Sequence, residues 1–211
     1  RSKNHKILSQ DVWKPLLNRS IMGQYPPGST FKTTQGLTFL SEGVITPSTP
    51  YPCGHGFNFK GLHVGCHGHP APLPLVPALS TSCNGYFCWG LYHMINTNMS
   101  KYGSYQNAMN TWRDYMVSMG FGYRLGIDLP GEKRGLIPNA QFYDKAYKGS
   151  WNGLTIISIA FGQGEVNATP LQIANLAATI ANRGFFYVPH VVRKVQGEPL
   201  DTAFTRRHFT K

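Results

Sequence analysis

The chain has 211 residues, and its 20 Lys and Arg against 9 Asp and Glu give a formal charge of +11. That length suits one domain with a sizeable core, and 41% apolar with 13% aromatic residues exclude a disordered chain. The longest apolar stretches, such as residues 154–161, fall well short of the roughly 18 residues a spanning helix requires, and no charged and apolar leader opens the sequence. Lys and Arg are scattered, clustering only in residues 1–6 and 206–211, and no RNP, zinc-finger or helix-turn-helix signature accompanies them. The charge therefore suits an anionic surface, membrane or wall polymer, and no nucleic-acid partner is expected.

In chain order, the Pro26-Pro27-Gly28 turn introduces a helix over residues 29–41. Residues 47–77 are dense in Gly and Pro and read as a long loop braced from outside, with few helices or strands surviving there. Helices follow over 86–96 and 105–119, the second stopped by Gly120. Residues 120–138 carry five glycines and two prolines and form a second loop, and 139–147 is a short helix after Pro138. The clearest element is a helix over 169–182: Thr169 caps it, Pro170 suits its first position and Gly184 its stop. Its apolar residues, from Leu171 to Ile180, run nearly all round, which predicts burial on every side. Residues 185–195 are β-branched and aromatic and read as a strand pair or hairpin arm. The fold expected is mainly α.

Two short motifs carry chemistry. Ser29-Thr30-Phe31-Lys32 is an S-x-x-K pattern, whose i and i+3 residues share a helix face, so the Lys32 amine reaches the Ser29 hydroxyl. Ser29 sits at the helix start, where partial positive charge favours an alkoxide. Lys32, with its pKa lowered by burial or by nearby cations, can act as general base. Ser82-Cys83-Asn84 is an S-x-N triplet, in which Asn84 can hold a substrate amide and Ser82 can pass a proton toward a leaving group. Either motif alone is weak, since Ser and Asn commonly cap helices. In this order, and about fifty residues apart, they match two of the three serine acyl-transfer motifs of penicillin-binding proteins and β-lactamases.

The runs Pro15-Leu16-Leu17-Asn18-Arg19, Gln24-Tyr25-Pro26-Pro27-Gly28-Ser29-Thr30-Phe31-Lys32 and Ser82-Cys83-Asn84-Gly85-Tyr86-Phe87 resemble the class B penicillin-binding proteins. So do Gly162-Gln163-Gly164-Glu165, Thr169-Pro170-Leu171-Gln172 and Tyr187-Val188-Pro189-His190, and the resemblance is greatest to the penicillin-binding protein 2 group, the elongation transpeptidases of Gram-negative bacteria. It spans nearly the whole chain. It implies a D,D-transpeptidase in which Ser29 attacks the D-Ala-D-Ala carbonyl of a peptidoglycan stem peptide, Lys32, Ser82 and Asn84 complete the site, and β-lactams acylate the same serine. It also implies a parent anchored on the periplasmic face of the inner membrane by an N-terminal helix not included here, working with a membrane-embedded SEDS-type glycan polymerase. The third motif, Lys-Ser/Thr-Gly, does not occur in the chain. The expectation is therefore the helical part of the α/β transpeptidase fold with most of the central sheet missing, and a piece of low or no activity. It divides into a nucleophile-helix region (1–45), a Cys/His loop (46–82), a helical body (83–184), and a strand region with a basic tail (185–211). A β-lactamase or β-lactam sensor of the same fold, and a zinc-stabilised helical module without catalysis, are the alternatives.

Cys53, Cys66 and Cys83 bracket four histidines, His55, His63, His67 and His69. A periplasmic setting permits two disulfides, while a tetrahedral zinc site would equally brace the loop. Cys66-x-x-His69 has local ligand spacing, and Cys53 and Cys83 complete a Cys3His set, with His67 or His55 able to replace His69. Relatives that resemble this chain carry zinc here on carboxylates, a His and the second-motif Cys, and three Cys make a softer set that suits Zn2+. Cys88 is expected to be a buried helix residue.

Overall fold

The computed structural model describes residues 2–211, so Arg1 of the N-terminal basic cluster lies outside the described residues. Helix α1 (Ser2–Gln10) and the short α2 (Arg19–Met22) precede a 3-10 turn, Gly28–Phe31, which runs directly into α3 (Lys32–Ser41). The hairpin β1 (Gly56–Phe59) and β2 (Leu62–Gly65) leads through α4 (Leu75–Ser80) to α5 (Asn84–Tyr92), which continues as one π-helical turn, His93–Thr97. Next come α6 (Met99–Tyr102), α7 (Tyr105–Ser118) and α8 (Ala140–Tyr147), a 3-10 turn at Ile157–Phe161, and α9 (Pro170–Ala181). The chain closes with β3 (Phe185–Phe186), α10 (Thr202–Thr205) and β4 (His208–Phe209). Among the described residues the sheets are two separate antiparallel pairs, β1–β2 and β3–β4, so the chain is mainly helical.

One hydrophobic core runs from Phe31 to Leu176 and centres on α5, whose Tyr86, Phe87, Cys88 and Leu91 are fully buried. The aromatics Trp112, Tyr115 and Phe121 are buried, while Trp89 is only partly so and packs edge-on against Phe57 and Phe59. Helix α3 lies against α5 and α7. The helix expected over 105–119 forms as α7, capped by Ser104, whose hydroxyl accepts from the Asn107 N–H. Asn139 likewise caps α8, and Thr169 with Gln172 forms a reciprocal capping box at α9.

Three expectations need correction. Residues 47–77 are not all loop: Phe57 pairs with Val64 and Phe59 with Leu62 in a four-pair ladder. Lys60 and Gly61, with φ of 48° and 81°, make the tight turn that suits a two-residue hairpin, and the surrounding Gly and Pro had masked this alternation. Helix α4 also begins inside the stretch, and Pro77 is tolerated at its third residue because the first amides of a helix have no intrahelical acceptor.

Helix α9 is not buried on all sides. Its polar residues Gln172, Asn175 and Thr179 face inward, while Ala174, Ala177, Ala178 and Ile180 are exposed. The 120–138 loop supplies the reason: Gln172 Nε2 donates to the Tyr123 and Arg134 carbonyls at 3.0 and 3.1 Å, bonds an apolar side chain could not make. Finally, the strand expected over 185–195 is a two-residue ladder, Phe185 with Phe209 and Phe186 with His208. Beyond it Val191 and Val192 donate their N–H groups to the Asp128 carboxylate instead of to a neighbouring strand.

The approach of α3 to α5 depends on Gly90. A β-carbon there would stand 2.4 Å from the Phe39 ring. Alanine raises intrinsic helix propensity by about 1 kcal/mol over glycine, but overpacking a closed helix contact costs about 1–3 kcal/mol, and Phe39 is fully buried with no room to retreat. Gly90→Ala is therefore expected to lower the thermal unfolding midpoint, measured by circular dichroism.

Candidate active site

Ser29 lies in the 3-10 turn that opens α3, following Gly28, whose φ of 58° only glycine adopts readily. The Gly28 N–H donates to the Gly162 carbonyl at 2.8 Å, tying the turn to the Gly162-Gln163-Gly164 segment. The contact is closed to side chains: a β-carbon on Gly162 would sit 2.3 Å from the Gly28 oxygen. The Ser29 side chain is exposed, while Lys32, one turn on, is 1% exposed. Ser29 is the second residue of its turn, so its own N–H has no partner three residues back inside that turn.

The two motifs meet at the Lys32 amine. Nζ lies 3.1 Å from Ser29 Oγ, 2.9 Å from Ser82 Oγ, 2.6 Å from the Ser82 carbonyl oxygen and 2.7 Å from Asn84 Oδ1. The two hydroxyls are 2.8 Å apart. An ammonium has three hydrogens for these four oxygens, whereas a neutral amine has two hydrogens and one lone pair. The Ser82 carbonyl and Asn84 Oδ1 accept only, so they take the two hydrogens and turn the lone pair toward the hydroxyls. Burial lowers the Lys32 pKa below the ordinary lysine value and outweighs the nearby cysteines, which pull it the other way. The geometry and the electrostatics agree on a base beside a nucleophile.

Ser82 has a φ of 53°, uncommon for a residue with a β-carbon. This conformation lets one residue offer Lys32 both its carbonyl and its hydroxyl. Asn84 is held from behind by the hairpin: its Nδ2 donates to the Gly65 carbonyl at 2.9 Å and its backbone N–H to Cys66 Sγ at 3.3 Å. These two bonds have no local signal in the residues, because β2 lies within the stretch expected to be loop.

The hairpin also gathers the thiols. The ligand atoms of Cys53, Cys66, His69 and Cys83 all lie within 4.8 Å of one another, with Cys66 Sγ 3.4 Å from His69 Nε2. Of the alternative histidines, His67 contacts the Thr81 carbonyl, and neither it nor His55 is among the gathered ligand atoms, so His69 is the one at the cluster. Burial raises Cys83 to about 12 and also raises Cys53. It acts on Cys66 in the same direction, but hydrogen bonds from the Asn84 amide and His69 overcome it and bring Cys66 to about 7. Cys88 is buried in α5, outside the cluster, as expected. All four cysteines are free. Glu165 accepts from the Tyr143 hydroxyl at 3.0 Å and has no contact with Ser29.

A base, a nucleophile and an S-x-N turn in this geometry perform acyl transfer in serine enzymes, and comparison with known proteins settles the family. The family model for the penicillin binding protein transpeptidase domain matches residues 1–211. The chain belongs to that family. It is 34% identical over 202 residues to the peptidoglycan D,D-transpeptidase MrdA of Acinetobacter baumannii, covering 92% of this chain and 28% of that protein. Among solved structures, it is similar to PBP2 of Pseudomonas aeruginosa in complex with WCK 5153, with a TM-score of 0.79, 25% identity, and coverage of 100% of this chain and 46% of that one. It is also similar to a chain of a peptidoglycan synthase complex described as coordinating polymerization and crosslinking, with a TM-score of 0.79, 30% identity, and coverage of 94% and 32%. The chain thus spans less than half of each of these relatives and represents the helix-rich portion of the transpeptidase fold. No helix among the described residues is long and apolar enough to cross a membrane.

If Lys32 is the base, charge alone cannot replace it. Lys32→Arg keeps the cation but stays protonated at every accessible pH, and it should slow acylation of Ser29 by a factor of about 10²–10⁴. In the unsubstituted chain the rate should rise with pH as the amine loses its proton. The inflection should fall below that of an exposed lysine, because burial favours the neutral form. Acylation rates followed by intact mass from neutral to alkaline pH test both points.

Proposed function

We propose that this chain is the nucleophile-bearing part of a penicillin-sensitive peptidoglycan D,D-transpeptidase that cross-links stem peptides through an acyl-serine. The observation that carries this reading is the Lys32 amine within hydrogen-bonding distance of Ser29, Ser82 and Asn84. Lys32 takes the Ser29 proton, directly or through Ser82, as Oγ attacks the D-Ala-D-Ala carbonyl. The resulting oxyanion is met by the Ser29 N–H. As the intermediate collapses, the C–N bond breaks, the proton passes to the leaving nitrogen, and the terminal D-Ala departs. An amine of a neighbouring stem peptide then attacks the ester, gives up its proton and frees Ser29. A β-lactam enters the same first step but keeps its leaving group tethered.

The whole protein, in this reading, works on the periplasmic face of the inner membrane, anchored by an N-terminal helix, beside a membrane-embedded glycan polymerase of the SEDS type. The solved relative in a peptidoglycan synthase complex supports a partner of that kind. The chain contains no Lys-Ser/Thr-Gly sequence to supply a second oxyanion donor, and loss of one such donor costs about 10²–10³ in rate. Incubation of the 211-residue chain with a penicillin is therefore expected to give a single, slowly formed adduct by intact mass, lost in Ser29→Ala. No adduct at all, or one that survives Ser29→Ala, would overturn the assignment of Ser29 in this chain.

The Cys/His cluster fits structural zinc. Four ligands at the Zn–S and Zn–N lengths of a tetrahedral site stand about 3.3–3.8 Å apart, a small contraction from the separations of up to 4.8 Å between these ligand atoms. Cys53, Cys66, His69 and Cys83 would hold the ion. Its role would be to fix Cys83, and with it the turn bearing Ser82 and Asn84, without meeting substrate. The chain is expected to retain one equivalent of zinc by elemental analysis, with a chelator lowering its melting temperature. Cys66→Ser should lose the metal and Cys88→Ser should keep it. Disulfides in place of metal would appear as missing hydrogens in the intact mass and would refute the zinc reading.

A further inference from the structure

Away from Ser29, the loop of residues 120–138 and helices α7 and α8 enclose a surface cleft of about 220 Å3. Two arginines, Arg113 and Arg134, line it together with Asn139 and the Gly135-Leu136-Ile137 segment, and no Asp or Glu is among its lining residues. The Arg113 guanidinium is held against the wall by its Nε, which donates to the Ile137 carbonyl at 3.3 Å. Its terminal amino groups have no partner among the described residues, and neither does the Arg134 side chain.

The wall itself is built rigidly. The Arg134 carbonyl accepts from Gln172, and Leu136 exchanges both backbone hydrogen bonds with Asn167, at 2.7 and 2.9 Å. The acids that might have neutralised the arginines are committed elsewhere: Glu132 accepts from the amides of Leu125, Gly126 and Ile127, and Asp128 from Val191 and Val192. Among the described residues the one ion pair is Lys101 with Glu42.

We propose that the Arg113–Arg134 cleft binds an oxyanion, a phosphate or carboxylate end group, at a site separate from the Ser29 centre. Planar guanidiniums present paired N–H donors that match the oxygens of either group. The volume falls below the roughly 300–1,000 Å3 of pockets that enclose whole drug-sized ligands, so the cleft takes the charged end of a molecule and leaves the remainder in solvent. The site shares no residue with the catalytic cluster, and its occupancy does not depend on the activity proposed above.

Titration of the 211-residue chain with inorganic phosphate and, separately, with acetate tests this, using calorimetry and thermal unfolding at an ionic strength held constant with chloride. Saturable binding of at least one anion is expected, with a raised melting temperature, and the tighter of the two identifies the end group. Arg134→Gln, which breaks no internal bond, should weaken binding by about tenfold. Arg113→Gln should do the same where circular dichroism shows it folded, and Lys6→Gln on α1 should leave binding unchanged. No saturable binding of either anion over chloride, or wild-type affinity in Arg134→Gln, would overturn the proposal.

Discussion

A lysine nitrogen with 1% of its residue exposed survives inside an apolar helix pair only where it finds acceptors, and here they come from fifty residues away. Keeping Lys32 charged in that position would cost several kcal/mol of desolvation. The lowered pKa removes part of that cost by favouring the neutral amine. In the neutral form the Ser82 carbonyl and Asn84 Oδ1 satisfy its two hydrogens. Folding therefore assembles the base, since burying Lys32 against α5 brings its amine to the second-motif turn. Gly90 against Phe39 and Gly162 against Gly28 permit that approach, so the glycines set the distance and the lysine sets the chemistry.

The second-motif turn is held from the other side as well. Asn84 turns its side-chain oxygen to Lys32 and its side-chain nitrogen to the Gly65 carbonyl, which joins the nucleophile helix to the hairpin through a single amide. Ser82 in a left-handed conformation carries strain of about 1–2 kcal/mol. The Ser82 N–H to Leu79 and Cys83 N–H to Ala78 bonds, with the fully buried Cys83 side chain, hold it there. Thiols and catalytic groups are thus two faces of one turn, and whatever braces Cys83 braces Ser82 and Asn84.

Much of this was legible in the residues, and the remainder was hidden for identifiable reasons. Ser29, Lys32, Ser82 and Asn84 could be paired because S-x-x-K on a helix puts two groups on one face, and α7, α8 and α9 announced themselves through the Gly120 stop, Pro138 and the Thr169-Pro170 start. The β1–β2 hairpin did not, because Phe57, Phe59, Leu62 and Val64 alternate over only four residues a side, inside a stretch whose composition reads as loop. The inward face of α9 is not legible in its apolar residues, which run nearly all round the helix. The carbonyls of the 120–138 loop demanded donors, so Gln172 turned inward and Ile180 outward. The bonds that Asn84 donates to Gly65 and Cys66 depend on that hairpin and have no local signal.

The charge of +11 acquires a more specific meaning once the buried and loop-bracing acids are followed to their partners. Glu132 and Asp128 organise loop amides, Asp144 accepts from Gln106 and Trp151, and Glu165 accepts from Tyr143. Only Glu42 is spent on a cation among the described residues. Carboxylates used this way replace secondary structure in long connections, which is why the 120–138 loop can be ordered without strands. The consequence is electrostatic: cations remain unneutralised where the loops are braced, and Arg113 and Arg134 face a cleft without a counter-charge. A basic surface of this kind is a by-product of how the loops are held, and its arginines are left free for anionic groups from outside the chain.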